Sequence, residues 1–160
     1  MTPISVGCAV PDFELPSTGD TTFRLADFRG SYLVLYFYPK DNTPGCIQEA
    51  QAFRDNIDKF TALNVVIVGV SRDTVRVHEG FKARQGLPFE LLSDNEETLC
   101  GLFDVIKLKS MYGKQVRGIE RSTFLIDPDG VLVREWRKVK VKSHSDEVLA
   151  ALDELAGAKA

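Results

Sequence analysis

Residues 32–38 read Tyr-Leu-Val-Leu-Tyr-Phe-Tyr, an unbroken apolar and aromatic run that Pro39 ends. A strand points successive side chains to opposite faces, so this run leaves no face for water. It predicts a strand buried on both sides, inside a sheet covered by other elements above and below. Residues 65–70, Val-Val-Ile-Val-Gly-Val, repeat the pattern. Between the two runs, Ala50, Phe53, Ile57 and Phe60 recur at helical spacing in a stretch that extends over residues 44–63. Apolar strands alternating with helices place the chain in the α/β class.

The remaining elements fit around that unit. Residues 13–15 and 22–25 flank Ser17-Thr18-Gly19-Asp20, a turn, and predict an N-terminal β-hairpin. Asp73 can cap a helix over residues 74–84, with Gly86 ending it. Residues 91–92 form a short strand, and Ser93 or Asp94 can cap a helix carrying Leu99, Leu102 and Phe103. Residues 123–126 and 131–136 flank Asp127-Pro128-Asp129-Gly130, a second hairpin turn. The alternation Val139-Lys140-Val141-Lys142 predicts a half-exposed strand within the basic run of residues 134–142. Ser143 or Ser145 can cap a last helix with Val148, Leu149, Leu152 and Leu155. No repeat or linker interrupts the chain, so residues 1–160 are expected to form one domain with a central mixed sheet and flanking helices.

Composition removes several function classes. The net charge is −3, without the strongly basic balance that nucleic-acid binding requires. No segment approaches the roughly 18 apolar residues of a membrane span. Residues 1–10 lack the basic and apolar regions of a signal peptide, which makes the cytoplasm the expected compartment. Three widely spaced cysteines, Cys8, Cys46 and Cys100, are no secreted disulfide framework. With only His78 and His144 beside them and no Cys-x-x-Cys pair, no metal site is expected.

Cys46 is the residue that points to chemistry. Thr43 is a good N-cap and Pro44 a natural first helical residue, which puts Cys46 in the first turn of the helix. Unpaired backbone N–H groups and the helix dipole favour negative charge there, and the thiolate is the nucleophilic form of cysteine. Gly45 leaves the approach to the thiol uncrowded. Taken alone, the position also suits a small buried hydrophobe.

The surrounding residues decide between the two. The segment Tyr36-Phe-Tyr-Pro-Lys-Asp-Asn-Thr-Pro-Gly-Cys46 resembles the active-site segment of the peroxiredoxins, with their Pro-x-x-x-Thr-x-x-Cys pattern at Pro39, Thr43 and Cys46. The resemblance is closest to the bacterioferritin comigratory protein branch, the Q-type peroxiredoxins, and runs along nearly the whole chain. Val10-Pro11-Asp12-Phe13 is similar to that family's Ala-Pro-Asp-Phe, Glu49 and Ala50 follow the cysteine as in that branch, and Arg121-Ser-Thr-Phe-Leu-Ile-Asp127 resembles the segment with the family's active-site arginine.

The resemblance implies a thioredoxin-like fold and a thiol-dependent peroxidase of hydrogen peroxide and organic hydroperoxides, needing no cofactor and serving antioxidant defence. Cys46 would attack a peroxide oxygen and become a sulfenic acid. Arg121 would offer its fork of N–H groups to thiolate and peroxide, and Thr43 its hydroxyl. Backbone N–H groups of Gly45 and Cys46 could add donors. Pro39 would shape and shield the pocket. Glu49 could orient Arg121, or simply be an exposed carboxylate near a helix start. Lys40 and Asp41 would shape the loop, and Tyr36 and Tyr38 are expected in the core. A protease-like pairing of Cys46 with His144 has no local support.

Many Q-type relatives reduce the sulfenic acid with a second, resolving cysteine. One usual position is five residues after the first, here Gln51, and the other lies in the next helix, here residues 74–84 without a cysteine. Cys8 and Cys100 remain as candidates. The expected cycle is therefore of the one-cysteine type, with thioredoxin or glutaredoxin and glutathione as the reductant, in a monomer or weak dimer. Competing classes are a thiol-disulfide oxidoreductase, which would want a cysteine at Thr43, a peroxide sensor that passes its oxidation to a partner, and a redox-inert binding module.

Overall fold

The computed structural model describes residues 4–158. The targeting-signal expectation therefore falls partly outside the described residues. A hairpin of β1 (Glu14–Ser17) and β2 (Thr21–Arg24) is followed by a short 3-10 turn, Leu25–Phe28, and by β3 (Tyr32–Phe37). Next come α1 (Pro44–Asp55), α2 (Ile57–Ala62), β4 (Val65–Ser71), α3 (Val75–Gln85), β5 (Glu90–Ser93) and α4 (Thr98–Leu102). A second hairpin, β6 (Ile106–Met111) and β7 (Lys114–Ile119), precedes β8 (Ser122–Ile126), β9 (Leu132–Trp136) and α5 (His144–Ala158).

Seven strands form one mixed sheet in the order β2-β1-β5-β4-β3-β8-β9, as the α/β expectation requires. β3, β4 and β5 are parallel, whereas β8 runs antiparallel to β3 and β9 antiparallel to β8. The N-terminal hairpin extends the opposite edge through β1 and β5. Alternation along β3 explains the double burial. Leu33, Leu35 and Phe37 join a core with Val70, Leu99, Phe103 and Phe124 on one face. Tyr32, Val34 and Tyr36 join Cys46, Ala50, Phe53, Phe60, Phe81 and Val148 on the other. Gly69 of β4 is required by close packing, because a Cβ there would lie 2.8 Å from the Tyr36 ring and 2.9 Å from Leu91.

Several sequence expectations change. The helix over residues 44–63 is broken at Asn56 into α1 and α2. Asn56 Nδ2 donates to Ser145 Oγ at 2.8 Å, which ties the break to the start of α5. Phe53 and Phe60 stay fully buried on either side, and a buried side chain of that kind contributes roughly 2–3 kcal/mol, more than a lost helical hydrogen bond costs. The cap of α3 is Thr74, whose Oγ1 accepts from Val77 N, while the Asp73 carboxylate is turned towards Ser71 and Asp41. Asp94 does serve α4, accepting from Leu99 N and Cys100 N. At α5 it is the Ser143 carbonyl, not a serine hydroxyl, that accepts from Glu147 N.

The strand expected at residues 139–142 does not form. Lys138 takes a left-handed conformation (φ 51°), and Arg137 is hooked inward, donating to Asp104 O and Phe103 O with its guanidinium 5.2 Å from the Phe124 ring centre. The β6–β7 hairpin was not anticipated. It turns at Tyr112 and Gly113, both at positive φ, and presents Leu108 and Val116 to solvent.

Candidate active site

Pro39 leaves β3 and a tight loop, residues 39–43, leads into α1. Thr43 has the extended backbone of an N-cap (φ −93°, ψ 150°) and Pro44 starts the helix. The side chain does not cap. Thr43 Oγ1 lies 2.9 Å from Lys40 O and donates to it, because the loop folds that carbonyl back over the threonine. In this conformation the hydroxyl proton is engaged within the loop, so the expected donation to thiolate or peroxide is corrected: the oxygen can only accept.

Cys46 is 2 % exposed, in the first turn of α1. Arg121 reaches it from the neighbouring strand, standing just before β8, whose Ser122 pairs with Phe37 at the end of β3. Arg121 Nη2 is 3.4 Å from Cys46 Sγ, and Nη1 donates to Glu49 Oε1 at 2.6 Å. One guanidinium thus spans the thiol and a carboxylate one helical turn away. Gly45 permits this approach, since a Cβ there would stand 3.1 Å from Arg121 Nη2. Its role is to admit the arginine, beyond the uncrowded access expected from sequence. Backbone bonds from Val139 N to Arg121 O and from Glu120 N to Val105 O fix the segment. The segment read as a strand is in fact a strut behind Arg121.

Glu49 is buried, which removes the exposed-carboxylate alternative. Its Oε2 and the Tyr36 hydroxyl have no hydrogen-bond partner among the described residues. Burial raises the Glu49 carboxyl to about 7, although the Arg121 guanidinium pulls it down. Burial opposes the charge of Arg121, but the Glu49 carboxylate and the Cys46 sulfur prevail and hold its proton more firmly than usual. The raised Glu49 makes a pH-dependent contribution to stability. The folded chain binds this proton more tightly than the unfolded chain, so the contribution is complete below 4.5, declines as pH rises, and is lost above about 7. The span corresponds to about 3 kcal/mol. In urea denaturation, Glu49→Gln is expected to gain on the wild type as pH rises through that window and to hold its lead above it. A difference that does not change with pH would refute a raised Glu49.

The other named residues separate clearly. His144 is buried, with Nε2 2.8 Å from Thr123 Oγ1 and Nδ1 3.4 Å from Glu147, so both ring nitrogens have partners other than Cys46. Burial lowers its pKa. Tyr36 and Tyr38 are fully buried core residues, as expected. Cys100 packs in the core on the opposite face of the sheet from Cys46. Burial, with Asp94 beside it, pushes the Cys100 thiol far above the usual range. Cys8 is exposed and its carbonyl accepts from Leu132 N at the start of β9. That end of the sheet is the beginning of β3, a strand length of roughly 15 Å from the end that carries Cys46. Neither cysteine is brought to Cys46.

Sequence reasoning passed over one group. Asp41, Asp73 and His78 bring ligand atoms within 4.8 Å of one another, the spacing of a metal site. Those atoms already have protein partners: His78 Nδ1 is 2.6 Å from Asp41 Oδ2, and Asp73 Oδ2 accepts from Asp41 N and Ser71 Oγ. No helix among the described residues is long and apolar enough to cross a membrane.

Residues 6–135 match the AhpC/TSA family. Peroxiredoxin Bcp of Bacillus subtilis (strain 168) is 52% identical over 153 residues, covering 96% of this chain and 98% of the relative. Peroxiredoxin Bcp of Escherichia coli (strain K12) is 38% identical over 156 residues, covering 98% of this chain and 100% of the relative. Among solved structures, the bacterioferritin comigratory protein of Xanthomonas campestris, described for its alkyl peroxide reduction activity, superposes with a TM-score of 0.86 at 52% identity, covering 90% of this chain and 92% of that one. A mutant of PrxQ from Xylella fastidiosa gives 0.92 at 44% identity, covering 98% and 99%. These neighbours are thioredoxin-fold proteins, and the expected fold stands.

Proposed function

The chain belongs to the AhpC/TSA family and is a thiol peroxidase, and from that premise we propose that Cys46 is the residue that attacks the peroxide. The observation that carries this assignment is the 3.4 Å approach of Arg121 Nη2 to Cys46 Sγ. The guanidinium hydrogen-bonds the attacking sulfur and stands where charge develops on the departing oxygen. Cys46 thiolate forms a bond to one oxygen of ROOH while the O–O bond breaks. RO⁻ leaves, takes a proton from solvent and departs as ROH, and Cys46 is left as sulfenic acid. Glu49 fixes the fork of Arg121, Gly45 makes room for it, Pro39 walls the loop, and Thr43 Oγ1 offers a lone pair to a peroxide O–H.

The substrates are hydrogen peroxide and organic hydroperoxides, and the role is antioxidant defence in the cytoplasm. The cycle is of the one-cysteine type. An external thiol attacks the Cys46 sulfenic acid, water leaves, and a second thiol breaks the mixed disulfide and restores Cys46. Support comes from the placement of Cys100 across the sheet and Cys8 at its other end. Thioredoxin or glutaredoxin with glutathione supplies the thiols, and the protein acts as a monomer or weak dimer. Intact-mass measurement after one equivalent of peroxide tests the cycle: one added oxygen on Cys46 is expected. Loss of two hydrogens with no added oxygen, mapped to Cys46 and Cys8 or Cys100, would overturn it. Peroxide turnover with each reductant system identifies the physiological donor.

A further inference from the structure

The loop leading to Cys46 is held from behind by a buried polar cluster that the reaction steps above do not use. Asp41 lies in that loop, yet its side chain and that of His78 on α3 are both fully buried. His78 Nε2 is 3.0 Å from Leu92 O, which can only accept, so Nε2 carries a hydrogen. Nδ1 makes a short hydrogen-bond contact of 2.6 Å with Asp41 Oδ2. Asp41 Oδ1 accepts from the Tyr38 hydroxyl at 2.7 Å, and Asp41 N donates to Asp73 Oδ2 at 2.8 Å. The next loop residue is held by the same helix: Arg84 Nη2 donates to Asn42 Oδ1 at 2.8 Å. The helix is itself tied to α1, where Arg54 Nη1 donates to Gln85 O at 2.7 Å.

Net stability is a poor explanation for such a pair. Withdrawing two ionisable groups from water costs about as much as their attraction returns, and apolar replacements often do as well. A fixed geometry is what the pair provides, and it is provided to the residues just before the reactive thiol. We propose, on the reading of Cys46 as the attacking residue, that His78 is a positioning residue: through Asp41 it holds the loop and the first turn of α1 in the closed form that keeps Cys46 beside Arg121, and its hold sets how often that turn opens. Cys46 is 2 % exposed in the closed form, so a bulky reductant needs the open one. The two half-reactions therefore draw on opposite populations. A weaker hold slows attack on peroxide and speeds reduction of the sulfenic acid.

The test measures both half-reactions by rapid mixing, oxidation with hydrogen peroxide and reduction with glutathione, and follows hydrogen exchange of residues 39–50. His78→Gln and the isosteric Asp41→Asn are each expected to slow oxidation about tenfold, to speed reduction severalfold and to raise exchange, on the scale of one lost hydrogen bond to a charged group. Arg84→Ala, at an exposed position, should show the same opposition with smaller amplitude and remains informative if a buried variant fails to fold. Rates that fall together, or that stay unchanged while only the melting temperature drops, would overturn the proposal. Wild-type protein that forms no sulfenic acid on Cys46 would instead overturn the underlying assignment of the attacking residue.

Discussion

Peroxide turnover by a Cys46→Ser variant is expected to fall by at least about a thousandfold with either reductant system. Serine occupies the same space, so the fold and the Arg121–Glu49 pair should persist, and an unchanged thermal midpoint would show that they do. What disappears is the sulfur nucleophile. A hydroxyl in the same turn stays protonated at neutral pH, and its oxygen offers no comparable attack on an O–O bond. Cys8→Ser and Cys100→Ser are expected to leave turnover within about twofold of wild type under a one-cysteine cycle. Full activity in Cys46→Ser would move the reaction to another residue, and loss of turnover in either of the other two would restore an internal disulfide.

Arg121→Met should lower kcat/KM for hydrogen peroxide by about a hundredfold, the usual consequence of removing one donor from developing negative charge. The methionine keeps much of the length and apolar stem but none of the N–H groups. It also leaves Glu49 buried without its partner, and that carboxyl, already raised to about 7, will stay neutral. Arg121→Lys is expected to recover little. Arg121 reaches Glu49 Oε1 at 2.6 Å and Cys46 Sγ at 3.4 Å from two different nitrogens, and a lysine has only one. Activity of Arg121→Lys close to wild type would mean that charge alone suffices and that the fork geometry is incidental.

How legible these features were in the sequence depended on range. The double burial of β3 could be read because seven consecutive side chains carried it locally. Cys46 could be read because Thr43 and Pro44 mark a helix start next to it. The Asp41–His78 pair could not, since its partners are separated by 37 positions and only the parallel pairing of β3, β4 and β5 brings them together. The β6–β7 hairpin escaped because most of its described side chains stand in solvent, and the core contacts of Ile106 and Ile119 are too few to mark a period. The error at residues 139–142 had another source. Alternation of Val and Lys looks like a strand, but strand formation needs a neighbour to pair with, and Arg137 pulls the chain inward before one is available. Glu49 was left open for the same reason of range: its burial depends on Arg121, which lies 72 positions away.

The placement of the three sulfurs on either face and at the far end of one sheet makes the protein its own set of clocks. A thiol-reactive dye meets Cys8 at the pace of diffusion, Cys46 at the pace of its helical turn, and Cys100 only when the sheet itself comes apart. A single labelling curve on native protein therefore separates surface access, local opening and global unfolding without any engineered probe.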